Sequence, residues 1–339
     1  MIPLMSIKKA IIPVAGVGSR LRPHTHTQPK PMMPVAGKPI LGHIIDSIIE
    51  AGITQQVFIL GYLGEKIREY VESEYADKIQ AEFVVQEPRK GLAHAIGLCK
   101  KEVQKVDELI IVLGDTIFGE EIMQIMASPY TNILGVQEVE NPRKFGIVVT
   151  DEQNRVIKAV EKPEIPVSNL AMVGLYKIKQ VKLLFKCITE MMVEEDIKGK
   201  QFYLTDAIMR MIDNGATFNA FSVDSWYDCG NKESLLQTNR ILLERIKKKT
   251  EYYFENTVIL PPVHIAPGCV IRNSVIGPYV AVAENSHISN SIVRDSIIGA
   301  YAQLEDIVLH KSVLGNDTTF KGKAHSVNVG DSTEIDLNE

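Results

Sequence analysis

Gly16-Val-Gly-Ser-Arg-Leu-Arg-Pro23, followed seven residues later by Lys30-Pro-Met-Met-Pro-Val-Ala-Gly-Lys-Pro39, decides how the rest of the chain is read. The apolar run Ala10-Ile-Ile-Pro-Val14 in front of it reads as a buried strand, so the glycines open a loop at a strand's C-terminal end. Glycines there let backbone N–H groups approach a phosphate, and Arg20 and Lys30 add fixed positive charge beside them. No Gly-Lys-Ser/Thr closes the loop, so it is not a P-loop. The third glycine and immediate helix of a dinucleotide fingerprint are also missing. A lone Gly-x-Gly would read as a surface turn; coupling it to Pro-Lys-Pro-Met makes the pattern far more specific.

The chain has 339 residues, too many for one ordinary core, which points to two domains. Its 45% hydrophobic content is that of a globular protein. A net charge of −5 and a pI near 6.0 argue against nucleic acid as a partner. Lys247-Lys-Lys249 reads as a solvated helix C-terminus. Cys99, Cys187, Cys229 and Cys269 are scattered without a Cys-x-x-Cys pair, which fits reduced thiols in the cytoplasm. Neither a signal-peptide pattern nor an apolar run of transmembrane length is evident, so no membrane partner is expected.

Up to about residue 125, short apolar runs at Ala10–Val14, Val57–Leu60, Phe83–Val85 and Leu109–Leu113 alternate with helical spacing over 39–51, 64–75 and 92–105. That alternation predicts an α/β domain with a parallel sheet, helices on both faces and ligands at the strands' C-terminal ends. Residues 131–178 read as strands joined by turns, and helices resume at 180–195, 204–214 and 231–249. From about 255 the pattern changes. Arg272-Asn-Ser-Val-Ile-Gly277 recurs as Arg294-Asp-Ser-Ile-Ile-Gly299 and His310-Lys-Ser-Val-Leu-Gly315, with aliphatics stepping by six. Hexapeptide periodicity of this kind indicates a parallel β-helix, although the spacing slips between groups.

The stretch 16–39 resembles the N-terminal signature of sugar-1-phosphate nucleotidylyltransferases, most closely the glucose-1-phosphate thymidylyltransferase/uridylyltransferase branch. The similarity continues through Gly91-Leu-Ala-His-Ala95, Leu113-Gly-Asp115, Glu161-Lys-Pro163 and Trp226-Tyr-Asp-Cys-Gly230, and so covers essentially the whole chain. It implies a Rossmann-like nucleotidyltransferase domain over 1–250 and a left-handed β-helix over 256–336, as in long-form members of the family. The implied reaction joins dTTP or UTP to glucose 1-phosphate with loss of pyrophosphate, in a cytoplasmic homo-oligomer.

Nucleotidyl transfer needs positioned anions, a metal and little covalent help from the protein. Asp115, at the end of the Leu109–Leu113 run, and Asp228, after the strand-like Phe218–Val223, are carboxylates from distant parts of the chain. Singly, an Asp beside a Gly reads as a turn residue; by resemblance the two form the Mg²⁺ pair. Lys162 resembles the lysine that holds the sugar phosphate; from composition alone it would be an exposed member of a Glu-Lys pair. Gly146, Glu161, Asn169 and Val173 match sugar-pocket positions. Arg20 and Lys30 would stabilise charge at the transferring phosphorus and on pyrophosphate. Ala15, Gly16 and Gly18 belong to the nucleotide loop, and Gln86, Gly91 and Leu92 to base selection. Gln86 can both donate and accept towards a pyrimidine edge. Gly91 reads equally as a close-approach glycine or as the start of a helix.

Three positions depart from the usual pattern. Ala15 replaces the first glycine and brings the opening closer to bacterial UTP–glucose enzymes, Thr116 follows Asp115, and Cys229 stands where Thr is common. Two other classes fit the sequence less well. A non-catalytic regulatory paralogue would not need to keep Arg20, Lys30, Asp115, Lys162 and Asp228 together. Acyltransferase activity in the β-helix would draw on His264, His287, His310 or His325, each of which reads better as an exposed coil or turn residue.

Overall fold

The computed structural model describes residues 6–194, 201–246 and 250–322. His325, Lys247–Lys249 and the expected end of the β-helix at 336 lie outside them. The chain forms two compact units, Met1–Pro34 with Lys38–Thr238, and Val35–Gly37 with Asn239–Glu339, the division falling inside the helix Lys232–Arg245.

The first unit is built on a nine-stranded mixed sheet. Its parallel half runs in the spatial order Gln80–Val85, Gln55–Leu60, Lys8–Pro13, Glu108–Val112. Leu170–Ile178 then pairs antiparallel with Glu108–Val112, and also meets Asn132–Glu138 and Gly146–Thr150. Sequence order reverses between Lys8–Pro13 and Glu108–Val112, so the loops leaving these two strands diverge and open a crevice at their C-terminal ends. Both strands are near-continuous apolar runs because both faces of a parallel sheet are covered. The helix Ile40–Glu50 shows why: Ile40, Leu41, Ile44, Ile45 and Ile48 form one stripe, each at most 1% exposed. Burying such a side chain contributes roughly 1.5–3 kcal/mol.

The helix expected over 92–105 ends at Leu98, with Cys99 as its cap. Beyond it, buried Val103 and partly buried Val106 reach the core from turns and carry the chain to the strand at Glu108. Apolar spacing there reports burial, not helical continuation. Short strands at Thr116–Phe118 and Trp226–Asp228, too brief to show a period, form a separate antiparallel ribbon.

In the second unit three four-stranded parallel sheets form the sides of a left-handed β-helix. Equivalent residues recur at intervals of 17 and then 16, as in the columns Val258–Val275–Ile292–Val308 and Ile271–Ile288–Leu304–Phe320. This change explains the slip in the sequence repeat. Arg272–Gly277 rounds one corner of the coil, whereas Arg294–Gly299 and His310–Gly315 round the next. Asn273, Asn290 and Asp306 turn the first of these corners in the left-handed region, where Asn and Asp are tolerated. Their side chains form a ladder, Asn273 donating to Asn290 at 3.1 Å and Asn290 to Asp306 at 3.0 Å. Arg240, on the helix segment of this unit, donates twice to buried Asp295 at 2.5 Å. Ile271, Ile288 and Leu304 stack inside. Ile288→Ala should lower the unfolding free energy by about 2–5 kcal/mol in urea denaturation. A loss below ~0.5 kcal/mol would mean the column is not a packed core.

Candidate active site

A cleft of about 570 Å³ occupies the crevice of the first unit. Ten of the fifteen residues expected from sequence line it, at positions 15, 16, 18, 20, 30, 86, 91, 92, 115 and 162; Asp228 does not, although Gly230 two residues on does. The glycine loop enters from the strand Lys8–Pro13. Gly18 has φ +67°, and a Cβ there would stand 2.8 Å from Lys30 Cβ, so only glycine lets the two motifs close on each other. Thr25 Oγ1 donates to the Gly18 carbonyl at 3.0 Å and holds this fold-back. Leu21, 3% exposed, anchors the turn that carries Arg20.

Lys30 is buried and its Nζ donates to Asp115 Oδ2 at 2.6 Å, which ties the loop to the end of the strand Glu108–Val112. The Cys229 N–H donates to the Asp115 carbonyl at 3.2 Å, and Asp228 pairs with Thr116 across the small ribbon. Asp115 and Asp228 are thereby brought together from 113 residues apart in sequence. Arg20 closes the group, because a Cβ at Gly230 would lie 2.7 Å from Asp228 Oδ2 and 3.1 Å from Arg20 Nη2. Burial raises the Asp228 pKa from its ordinary value, and the Asp115 charge adds to the rise. Lys30, Arg20 and the Gly230 N–H oppose it. Cys229 between them is fully buried, which pushes its thiol up to about 12 and keeps it neutral.

At the other end of the cleft, Gln86 N–H donates to the Leu60 carbonyl at 2.9 Å. Gly91 has φ +99° and caps the helix Leu92–Leu98, and a Cβ there would meet the Phe202 carbonyl oxygen at 2.5 Å, so its freedom serves the packing of this turn against Phe202. Lys162 occupies the left-handed region at φ 39°, an unfavourable setting for a lysine, with its N–H bonded to the Phe145 carbonyl at 3.0 Å. Its ammonium is 3.7 Å from Glu161.

Four expected sugar-pocket residues do not line the cleft itself. Glu161 and Gly146 adjoin each other beside it, and Thr205 donates to Glu161 at 3.4 Å. Burial raises the Glu161 pKa, against the pull of Lys162 and Thr205. Val173 is buried against Gly135, and Asn169 is exposed with its carbonyl accepting from Val139 N–H at 3.0 Å. The sequence reading missed Pro13, Val14, Ser19, Pro31, Ala95, Leu113, Gly114 and Gly230 as lining residues, although all of them sit inside the quoted stretches. Phe145 and Trp226, outside the lining, pack edge to face at 5.5 Å, a contact between distant parts of the chain that no local pattern announces. The second unit's His264, His287 and His310 lie on three different sheets, so they do not form one cluster.

Residues 9–245 match the family model described as Nucleotidyl transferase. The chain is 33% identical to the low-salt glycan biosynthesis nucleotidyltransferase Agl11 of Haloferax volcanii, covering 97% of this chain and all of that one. It is 34% identical to the bifunctional protein GlmU of Methanocaldococcus jannaschii (92% and 78% covered), and 28% identical to a glucose-1-phosphate thymidylyltransferase of Streptomyces antibioticus (97% and 99%). A crystal structure of a candidate glucose-1-phosphate thymidylyltransferase from Bacillus anthracis superposes with a TM-score of 0.61 at 26% identity, covering 72% of this chain and 98% of that one. The chain therefore belongs to the nucleotidyl transferase family. No helix among the described residues is long and apolar enough to cross a membrane.

The raised pKa of Asp228 has a stability consequence. A carboxyl whose folded pKa lies above its unfolded value stabilises the fold below the unfolded pKa, and that contribution is lost as pH rises through the folded value. Above the folded value the ionised, buried group works against the fold. Asp228→Asn in EDTA at pH 7 should melt no lower than the natural protein by calorimetry; a drop of several degrees would show that the carboxylate holds the ribbon together.

Proposed function

We propose that this chain is a sugar-1-phosphate nucleotidylyltransferase that transfers a nucleotidyl group from dTTP to glucose 1-phosphate and releases pyrophosphate. The convergence of Arg20, Lys30, Asp115 and Lys162 on one cleft, with Gln86, Gly91 and Leu92 also lining it, carries this reading. Loop N–H groups from Gly16 and Gly18 would receive the triphosphate. Arg20 and Lys30 would meet charge developing on the α-phosphate and on pyrophosphate. Lys162 would hold the sugar phosphate for in-line attack on the α-phosphorus, with Glu161 taking sugar hydroxyls. Asn169 and Val173 would act by shaping the strand behind that pocket. Holding the reactants in line is most of what such a transfer requires.

The donor set fits Mg²⁺. Asp115 and Asp228 supply hard oxygens, and the burial and mutual repulsion that raise the Asp228 pKa are relieved by a cation. When bound, the ion would damp repulsion between the two phosphates. The described residues offer no cluster of three or more His, Cys, Asp or Glu, so the remaining ligands would come from substrate and water.

UTP in place of dTTP is the second reading, favoured by Ala15 in the glycine loop. We further propose that residues 1–250 act as the catalytic domain, in a cytoplasmic enzyme whose four cysteines are free. Copies would associate through the 256–336 domain, whose outward column includes Val258 at 53%, Ile292 at 36% and Val308 at 74% exposure.

Pyrophosphate release from five nucleoside triphosphates against glucose, galactose, mannose and N-acetylglucosamine 1-phosphates should be greatest for dTTP with glucose 1-phosphate. Lack of release from every pair would refute the transfer. Asp228→Asn should remove most turnover even at saturating Mg²⁺. Lys162→Ala should weaken glucose 1-phosphate about 10- to 150-fold, as expected for one charge-assisted contact, and the triphosphate much less. A loss falling on the triphosphate's Kd would place Lys162 on the other ligand.

A further inference from the structure

Gln86 is only 7% exposed, and what it offers the cleft is set by its neighbours. Its Nε2 stands 2.9 Å from the Gly91 carbonyl oxygen and 3.2 Å from His94 Nδ1. A carbonyl can only accept, so the nitrogen of the amide, not its oxygen, faces Gly91. The second N–H is then directed at His94 Nδ1, which accepts only from a neutral imidazole carrying its proton on Nε2. Burial, helped by the Lys90 charge, holds the His94 pKa below its ordinary value and favours that neutral ring. Both amide hydrogens are thus used inside the protein, and Gln86 has its carbonyl oxygen left for a ligand.

We propose that His94 is a positioning residue: it locks the Gln86 amide so that only an acceptor faces the nucleotide base. The base must then donate at that point, as the N3–H of uracil or thymine does and the bare N3 of cytosine does not. This deepens the proposed nucleotide reading of the cleft and rests on it. His94 is itself 6% exposed and is not among the residues lining the cleft, so it acts through Gln86. Without it the amide is held by the Gly91 carbonyl alone, and the turned orientation that presents an N–H to the cleft becomes less unfavourable by about one hydrogen bond. The discrimination between an imide base and cytosine then narrows.

The test is steady-state kinetics of the full chain with dTTP, UTP and CTP as donors, for the natural protein, His94→Leu, His94→Asn, Gln86→Leu and the Gln86→Leu/His94→Leu double variant. His94→Leu should raise KM for dTTP and UTP about 3- to 10-fold, the range of one net hydrogen bond, and narrow the preference for UTP over CTP. The KM for glucose 1-phosphate should stay within about twofold. His94→Asn, whose Oδ1 can stand where Nδ1 accepts, should recover most of the loss. The double variant should be no worse than Gln86→Leu alone, because the two residues act as one unit. Unchanged donor preference in folded His94→Leu overturns the proposal, as does additivity in the double variant or an equal rise in all KM values. Should His94→Leu not fold, His94→Gln, with its acceptor displaced along a longer chain, replaces it with the same expectations. Equal use of CTP and UTP by the natural protein would instead defeat the uracil/thymine reading of the cleft.

Discussion

The ion pair between Lys30 and Asp115, 2.6 Å long, is the contact on which the site depends. The Lys30 side chain is 9% exposed, and an ammonium taken that far out of water needs a fixed anion. Asp115 supplies it from the end of the neighbouring central strand, so the pair spans the point where strand order reverses. The glycine loop is drawn down over the crevice, Gly18 packs on Lys30, and Arg20 is brought beside Asp228 and Gly230. One salt bridge thereby couples the loop, the central sheet and the Thr116–Phe118 ribbon.

The same arrangement sets the chemistry available. The cleft offers backbone N–H groups, two cations from the first loop, a third from Lys162 and a carboxylate at Asp115. Cys229, which precedes the lining residue Gly230, is buried and protonated, in no state to attack a phosphorus. Such a site works by holding charged reactants in line against their own repulsion. Lys162 adds to this view, since a left-handed backbone for a lysine is strain that the surrounding fold must sustain.

Much of this was legible in the sequence because it is written in local signals. The strands Lys8–Pro13 and Glu108–Val112 are apolar runs ended by Gly-rich loops, and the stripe of Ile40, Ile44 and Ile48 has a clear helical period. Motifs tied to those strand ends landed in one cleft because an α/β sheet gathers such loops. What stayed hidden depends on pairing across distance. The Asp228–Thr116 ladder joins two three-residue strands that have no period to read. The Gln86–His94 contact joins a strand end to a helix through a turn whose path is set by Phe202, more than a hundred residues away. The coil register of the second unit was obscured because its turns change length, from 17 residues to 16.

In the proposed reaction the cleft holds two phosphates for a single direct displacement. Its most direct measurement is the stereochemical course with a dTTP analogue of defined chirality, sulfur replacing one α-phosphate oxygen, and glucose 1-phosphate as acceptor. Inversion at the α-phosphorus is the expected result, since one in-line attack inverts the centre once. Retention would require two displacements and a nucleotide carried on a side chain, and would contradict a site that acts by position and charge.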